Sequence, residues 1–366
     1  MTNELLYQLA LTLVPHIGDV QARLLLQHFG DASSIFKAKQ VDLEKIEGIG
    51  TVRAKSIKGF NDFHLAELEL KFIEKYKIKP LFLTDNEYPQ RLLNCYDSPT
   101  LLFYKGSADL NASKVVGIVG TRNYTDYGRQ FTEDLVKDLS DQQILIVSGL
   151  ALGIDAFAHK AALKNGLPTV GVVGHGLDKI YPSVNTHLAK DMVKQEGGLL
   201  SEFFSGTKPD KHNFPLRNRI VAGLCDATVV VETNTKGGSM ITAKLADAYN
   251  LDVFAVPGRP TDSKSSGCNY LIKNNKAILL TDAGELLEVM GWKEKKQKPK
   301  KQKELFIELS ADEKQIVQLL QQKEQVHIDE INLSSGLSSS ATAAAILNLE
   351  LQGVLASMPG KMYKLL

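Results

Sequence analysis

Apolar and polar positions change rhythm along this chain. From residue 1 to about 75, Leu5, Leu6, Leu9 and Leu13, then Leu24, Leu25 and Phe29, recur at helical spacing. From about 80 to 290 short apolar runs take over: Val115–Val119, Ile144–Val147, Thr169–Val173, Leu199–Ser201, Ala227–Val231, Val253–Val256 and Ile278–Leu280, with helical patterns between most of them. Continuous β-branched runs separated by helices predict an α/β core, a mostly parallel sheet covered on both faces. Ligands of such sheets bind beyond the C-terminal ends of the strands. After Trp292, Lys293–Lys303 (KEKKQKPKKQK) holds seven lysines, one proline and no apolar residue. Residues 293–304 therefore read as a solvated linker. Beyond it, 305–366 shows helical spacing through Ile316, Leu319 and Leu320. Ile328, Ile331 and Leu333 then lead to a Ser-rich turn, a helix over Ala341–Leu351 and strands at Val354–Ser357 and Met362–Leu365. Three helices and a hairpin, in that order, predict a winged helix.

At 366 residues the chain exceeds one ordinary core, so two or three domains are expected. Its 43% hydrophobic and 23% charged residues are those of a soluble globular protein. A net charge of +1 gives no global field, so any basic surface must be local. The 305–366 unit has four basic and seven acidic residues, a net charge of −3, and Ser339–Leu351, where a winged helix usually reads DNA, carries no Lys or Arg. That favours a protein-contact module over a duplex reader. Cys95, Cys225 and Cys268 are scattered and make no CxxC, which fits a reducing cytoplasm. No basic leader and no membrane-length apolar run is present, so a cytoplasmic protein is expected.

The candidate chemistry sits at the strand ends. Gly120, Thr121 and Arg122 follow the first apolar run. A tight turn there at a helix N-terminus would aim backbone N–H groups at a phosphate, with Arg122 adding a fork of donors. Lys211–Arg219 (KHNFPLRNR) gathers Lys211, Arg217 and Arg219 around Phe214, cations for a backbone and a ring for a base. Pro215 breaks regular structure and predicts that Phe214 lies on a loop. Glu232–Thr242 brings Gly237, Gly238, Ser239 and Thr242 to the start of another helix. Ser148–Asp155 (SGLALGID) and Gly174–Tyr181 (GHGLDKIY) are further loops at strand ends. Asp155 and His159, four apart, read as a loop brace and a structural partner rather than a metal pair, and no metal is expected. Neither GxxxxGK[ST] nor GxGxxG with a downstream acid occurs, which argues against a P-loop ATPase or a dinucleotide enzyme. Near the N-terminus, Glu47–Thr51 (EGIGT) resembles the turn of a helix-hairpin-helix, flanked by Arg53, Lys55 and Lys58. A plain helical turn needing small residues is the preferred reading.

VGIVGTR, SGLALGIDAFAH, GLDKIYP, GGLLSEF, FPLRNRIVAGL, GGSMITA, FAVPG and GCNYLI, in this order, resemble the motifs of the DNA-processing protein A family (DprA, also called Smf), densely over about 80–282. The resemblance implies a Rossmann-like core, a sterile-alpha-motif-like N-terminal domain over 1–75 and a C-terminal winged-helix domain. It implies a non-catalytic protein without cofactor that binds single-stranded DNA and loads RecA recombinase in natural transformation. It also implies displacement of single-strand-binding protein and a homodimer formed through the core. Carried over, Arg122 and Lys211 would hold phosphates, Phe214 would stack on a base, and Arg217 and Arg219 would line the same pocket. Gly120, Thr121, Gly149, Gly237, Gly238 and Ser239 would shape its floor. A competing reading is a nucleotide phosphoribohydrolase-like enzyme on a related core, using Glu232 or Asp155, although KGGSMIT lacks the proline and GT ending of that loop. A third is a scaffold recruiting partners through the linker and winged helix.

Overall fold

The apolar runs between 115 and 256 form the centre of a nine-stranded sheet. In the computed structural model, residues 3–293, 309–321, 323, 325–358 and 360–365 are described. The linker expected at 293–304 lies, apart from Lys293, outside them. Two compact units emerge, Met1–Lys293 and Glu294–Leu366.

The strands of the first unit are β1 (Lys79–Phe82), β2 (Leu101–Gly106), β3 (Val115–Val119), β4 (Leu145–Ser148), β5 (Thr169–Val172), β6 (Gly198–Ser201), β7 (Ala227–Val230), β8 (Asp252–Ala255) and β9 (Ile278–Leu279). Their order is β1-β2-β6-β5-β4-β3-β7-β8-β9. From β6 to β9 every pairing is parallel, while β1 and β2 add an antiparallel edge. The expected parallel α/β sheet is present, with boundaries within a residue or so. The antiparallel edge strands were not among the runs singled out.

Six helices precede the sheet: α1 (Asn3–Leu11), α2 (Asp19–Phe29), α3 (Ala32–Lys37), α4 (Gln40–Glu44), α5 (Gly50–Gly59) and α6 (His64–Tyr76). The short α7 (Gln90–Leu93) joins β1 to β2. Between and after the parallel strands lie α8 (Asp126–Asp138), α9 (Ile154–Lys164), α10 (Thr186–Lys194), α11 (Asn213–Leu224), α12 (Gly238–Ala248), α13 (Ser266–Lys273) and α14 (Ala283–Val289). Alternate residues of each strand face opposite helical layers, as the pleat requires. Val116 and Ile118 of β3 pack with Leu135 of α8, Ala158 of α9 and Leu286 of α14. Val115 and Val119 face the other way, into the cluster of Ile220, Ala243 and Leu271 from α11, α12 and α13. That second cluster continues without a break into Leu9, Leu25, Ile35, Leu43 and Ile57 of the N-terminal helices.

The chain reverses its direction of sheet growth at β3. It winds β3-β4-β5-β6 one way, then returns through α11 to place β7 on the other side of β3. This is a topological switch point, where the loops leaving β3 and β7 diverge and open a crevice.

The second unit is a winged helix. It contains α15 (Ala311–Gln321), β10 (Val326–His327), α16 (Ile328–Ser335), α17 (Ser339–Leu351), β11 (Leu355–Met358) and β12 (Met362–Leu365). Its sheet order is β10-β12-β11, and Ile316, Leu320, Ile331, Ile346, Leu349 and Leu355 form its own core. Ser338 caps α17, its hydroxyl accepting from the Ala341 amide at 3.3 Å.

Candidate functional site

At the switch point lies an open cleft of about 520 Å³. Gly120, Thr121 and Arg122 leave β3 into it, Gly149 and Ala151 leave β4, and Gly237, Gly238 and Ser239 enter from the β7 side. Lys211, Phe214 and Arg217 come from the start of α11. Of the residues selected from sequence, ten therefore share one cleft; Arg219 does not.

Phe214 lies within the first turn of α11, not on a loop. Pro215 is the third residue of that helix, where its missing N–H would have had no intrahelical partner anyway, so it starts the helix rather than breaking it. The helical phase then explains the arginines. Arg217 is three residues from Phe214 and shares its face, whereas Arg219 points away, about 200° round from Arg217 at 3.6 residues per turn. Its guanidinium pairs with Glu202, donates to the Asp97 carbonyl and reaches Asp19 of α2 at 3.0 Å. The expected common pocket for Arg217 and Arg219 is thus corrected. Arg219 lines a separate groove beside Leu65, Leu68 and Leu216.

Arg217 is buried beneath the cleft floor. It donates to the carbonyl oxygens of Gly149 and Val172, at the ends of β4 and β5. Burial, offset in part by Asp155, brings its guanidinium down to about 10, so it stays charged at neutral pH. The approach needs Gly149, because a Cβ there would stand 2.7 Å from the guanidinium. Asp155 braces the loop by accepting from the Ala151 amide at 3.2 Å. Burial pushes its pKa up while Arg217 opposes the shift. His159 bonds Thr169 at 2.7 Å and is brought to about 3 by burial, so it is a neutral structural partner.

The loops leaving β3 and β7 lead to two helix N-termini that differ. The turn after β3 was expected to open onto a helix N-terminus, and it does not. Instead α8 starts at Asp126, and the buried Glu232 accepts from the Thr125 amide at 2.9 Å and from the Thr125 hydroxyl. A protein carboxylate already occupies the place where the macrodipole would favour a ligand anion. The N-terminus of α12 has no side-chain cap: its N-cap is Gly237, and nothing stands within 4 Å of where a Gly238 side chain would project. The Met240 amide turns back to the Gly237 carbonyl at 3.1 Å, which leaves those of Gly238 and Ser239 to meet an anion.

Above this floor, Arg122 and Lys211 are exposed cations, and the Arg122 guanidinium lies 5.6 Å from the Phe214 ring centre. Tyr181, which carried no signal in sequence beyond its place in a loop, brings its ring to 6.0 Å from that of Phe214. Among the described residues no cluster of three or more His, Cys, Asp or Glu is placed to hold a metal ion, and no helix is long and apolar enough to cross a membrane.

Fold and cleft together define a Rossmann-like protein with an open crevice at its switch point, lined by cations and glycines, and a separate winged-helix unit later in the chain. Residues 79–291 match the family model described as DNA recombination-mediator protein A. The DprA winged helix domain matches 299–361, and a helix-hairpin-helix motif matches 6–65. The chain belongs to the DNA recombination-mediator protein A family. Protein Smf of Synechocystis is 39% identical over 300 residues, covering 79% of this chain and 73% of its own. DNA processing protein DprA of Streptococcus pneumoniae is 41% identical over 62% of this chain and 77% of its own. The X-ray structure of the Streptococcus pneumoniae protein superposes with a TM-score of 0.67 at 35% identity, over 79% of this chain and 98% of that one. A DNA processing protein A from Helicobacter pylori, solved for its single-stranded DNA binding mode, superposes with a TM-score of 0.53 at 31% identity, over 58% and 95%. The helix-hairpin-helix match also bears on the EGIGT turn, for which a plain helical turn was preferred. That turn falls inside the matched region, with Arg53 donating to the carbonyls of His16 and Gly48 at its base.

Proposed function

We propose that this protein binds single-stranded DNA without sequence preference in the switch-point cleft and, as a non-catalytic mediator, hands the strand to RecA recombinase. The observation that carries this reading is the meeting of exposed Arg122 and Lys211, the Phe214 ring and the uncapped N-terminus of α12 in one open cleft. Cations and amides take phosphates, and a ring takes any base, since every base has a π-face. The Helicobacter pylori relative, solved for its single-stranded DNA binding mode, supports the same ligand. A non-catalytic role is supported by the two carboxylates an enzyme would need: Glu232 holds Thr125, the N-cap of α8, and Asp155 braces its loop beside Arg217. Family membership is what supports including RecA, single-strand-binding protein, a homodimer, a cytoplasmic place of work and natural transformation in this reading. The cleft itself speaks to the DNA.

The test is fluorescence anisotropy with labelled oligo-dT and a matched duplex at two salt concentrations, for the parent and for Lys211→Ala/Phe214→Ala. The single strand is expected to bind preferentially, with log affinity falling against log salt by about 0.7 per phosphate neutralised, and the variant is expected to lose it. Equal binding of single strand and duplex, or an unaffected variant, overturns the assignment. The mediator step is read by RecA assembly on oligo-dT coated with single-strand-binding protein, which the parent accelerates and the variant does not.

A further inference from the structure

We propose that Tyr181 forms a second base-stacking subsite, taking the nucleotide next to the one on Phe214. The inference rests on the single-strand reading above and deepens it. Tyr181 is 47% exposed, and its ring plane lies 28° from that of Phe214 with centres 6.0 Å apart. The two rings are therefore near-parallel neighbours in one aromatic patch. Their spacing exceeds the about 3.4 Å rise of a duplex strand, so it suits neighbouring bases of a strand drawn out of its helical stack. A small recess of about 40 Å³ joins them, lined by Arg122, Leu152, Tyr181, Pro182, Phe214 and Arg217. A cation beside two rings is the chemistry of a sequence-tolerant nucleobase track.

The shelf is built in advance rather than left to fold around the strand. Tyr181 donates its backbone N–H to Nε2 of the buried His175 at 3.3 Å, while Nδ1 of the same ring lies 2.9 Å from the Gly176 carbonyl. With Nδ1 carrying the proton, both contacts are satisfied by a neutral imidazole, and burial lowers the His175 pKa in keeping with that. Asn185 pins the loop from the other side, its Nδ2 donating to the Leu150 and Ala151 carbonyls at 2.9 and 3.2 Å. Phe214 is set by Gly174, where a Cβ would stand 3.2 Å from Cδ1 of the ring. A backbone fixed this way has little main-chain freedom left to lose on binding.

The experiment is anisotropy of the full chain with labelled oligo-dT and with a length-matched abasic sugar–phosphate oligomer, for the parent, Tyr181→Ala, Tyr181→Phe and Phe214→Ala. On oligo-dT, Tyr181→Ala is expected to bind about tenfold more weakly, equivalent to about 1.4 kcal/mol, and Tyr181→Phe to bind like the parent. On the abasic oligomer, where there is no base to stack, parent and Tyr181→Ala are expected to bind alike. Two outcomes overturn the subsite while the cleft stands: Phe214→Ala loses oligo-dT and Tyr181→Ala does not, or Tyr181→Ala weakens both oligomers equally, which marks a structural effect. If Phe214→Ala also binds like the parent, the single-strand reading of the cleft falls, and the subsite falls with it.

Discussion

Arg217 and Arg219 stand two positions apart on α11 and meet opposite surroundings. Arg217 lies under the cleft with its guanidinium against strand-end carbonyls. Burial holds it below its ordinary pKa, and Asp155 offsets that only in part. Around Arg219 burial also works against the charge, but Glu202, Asp19 and Asp97 outweigh it and raise the pKa. One face of the helix serves the ligand cleft, and the other cross-braces the sheet to α2 through Asp19. The same α2 residue also accepts from the Thr100 amide and hydroxyl at 2.7 Å, so this face is a joint. A run of basic residues on a helix is therefore not one patch. On the proposed reading, the cations that meet phosphates are the exposed Arg122, beside the Phe214 ring, and Lys211 of the same cleft.

The largest expected effect comes from breaking the joint. Arg219→Ala leaves Glu202 buried without its partner, and removing one member of a buried pair costs about 3–5 kcal/mol. Denaturant unfolding is expected to show that loss, while the variant that remains folded keeps its oligo-dT affinity within about twofold. Unchanged stability with lost DNA binding would instead put Arg219 in the cleft and erase the distinction between the faces.

A second effect, of about 1–3 kcal/mol, is read through pH. Burial raises the Glu202 carboxyl to about 7 from its ordinary 4.5, against the pull of Arg219. A carboxyl with a raised folded-state pKa binds its proton more tightly in the folded protein. Its contribution to stability is full below about 4.5 and is lost as pH rises through about 7. Glu202→Gln removes that dependence. Between those pH values the parent's unfolding midpoint is expected to fall relative to the variant's, at about 2–4 °C per kcal/mol. Parallel profiles would mean that Glu202 is ionised throughout and that Arg219 fully offsets its burial.

The two faces of α11 also show what the sequence made legible. The central parallel strands were readable because each is a short run of mostly apolar residues buried on both sides, and β9, although its Ile278 and Leu279 are exposed, still reads as an apolar run. β1 and β2 escaped because they join that sheet antiparallel, ahead of the first run singled out. The cleft residues were readable because they sit at strand ends, where the topology places ligands. Misreading Pro215 as a breaker removed the helical phase from 213–219, and with it the divergence of Arg217 from Arg219. Glu232 as the partner of Thr125, the N-cap of α8, had no local signal, since the two are 107 residues apart. Tyr181 likewise gains meaning only when the loop after β5 folds beside α11.

The smallest effect sharpens the comparison most, because it separates a cation that touches a phosphate from one that supports the floor. Lys211 is exposed at the mouth of the cleft, so Lys211→Gln is expected to leave stability alone and to reduce the slope of log affinity against log salt by about 0.7, one phosphate's worth for a single strand. Arg219 is already paired with Glu202 and Asp19, so on this reading it displaces no counterion from the strand. Arg219→Lys, which keeps the charge, is expected to leave the slope as it is. Titrating oligo-dT across a salt series for the two variants reads both slopes. If the Lys211 slope matched the parent's and the Arg219 slope fell, the strand would run along the groove between α2 and α11 rather than through the switch point.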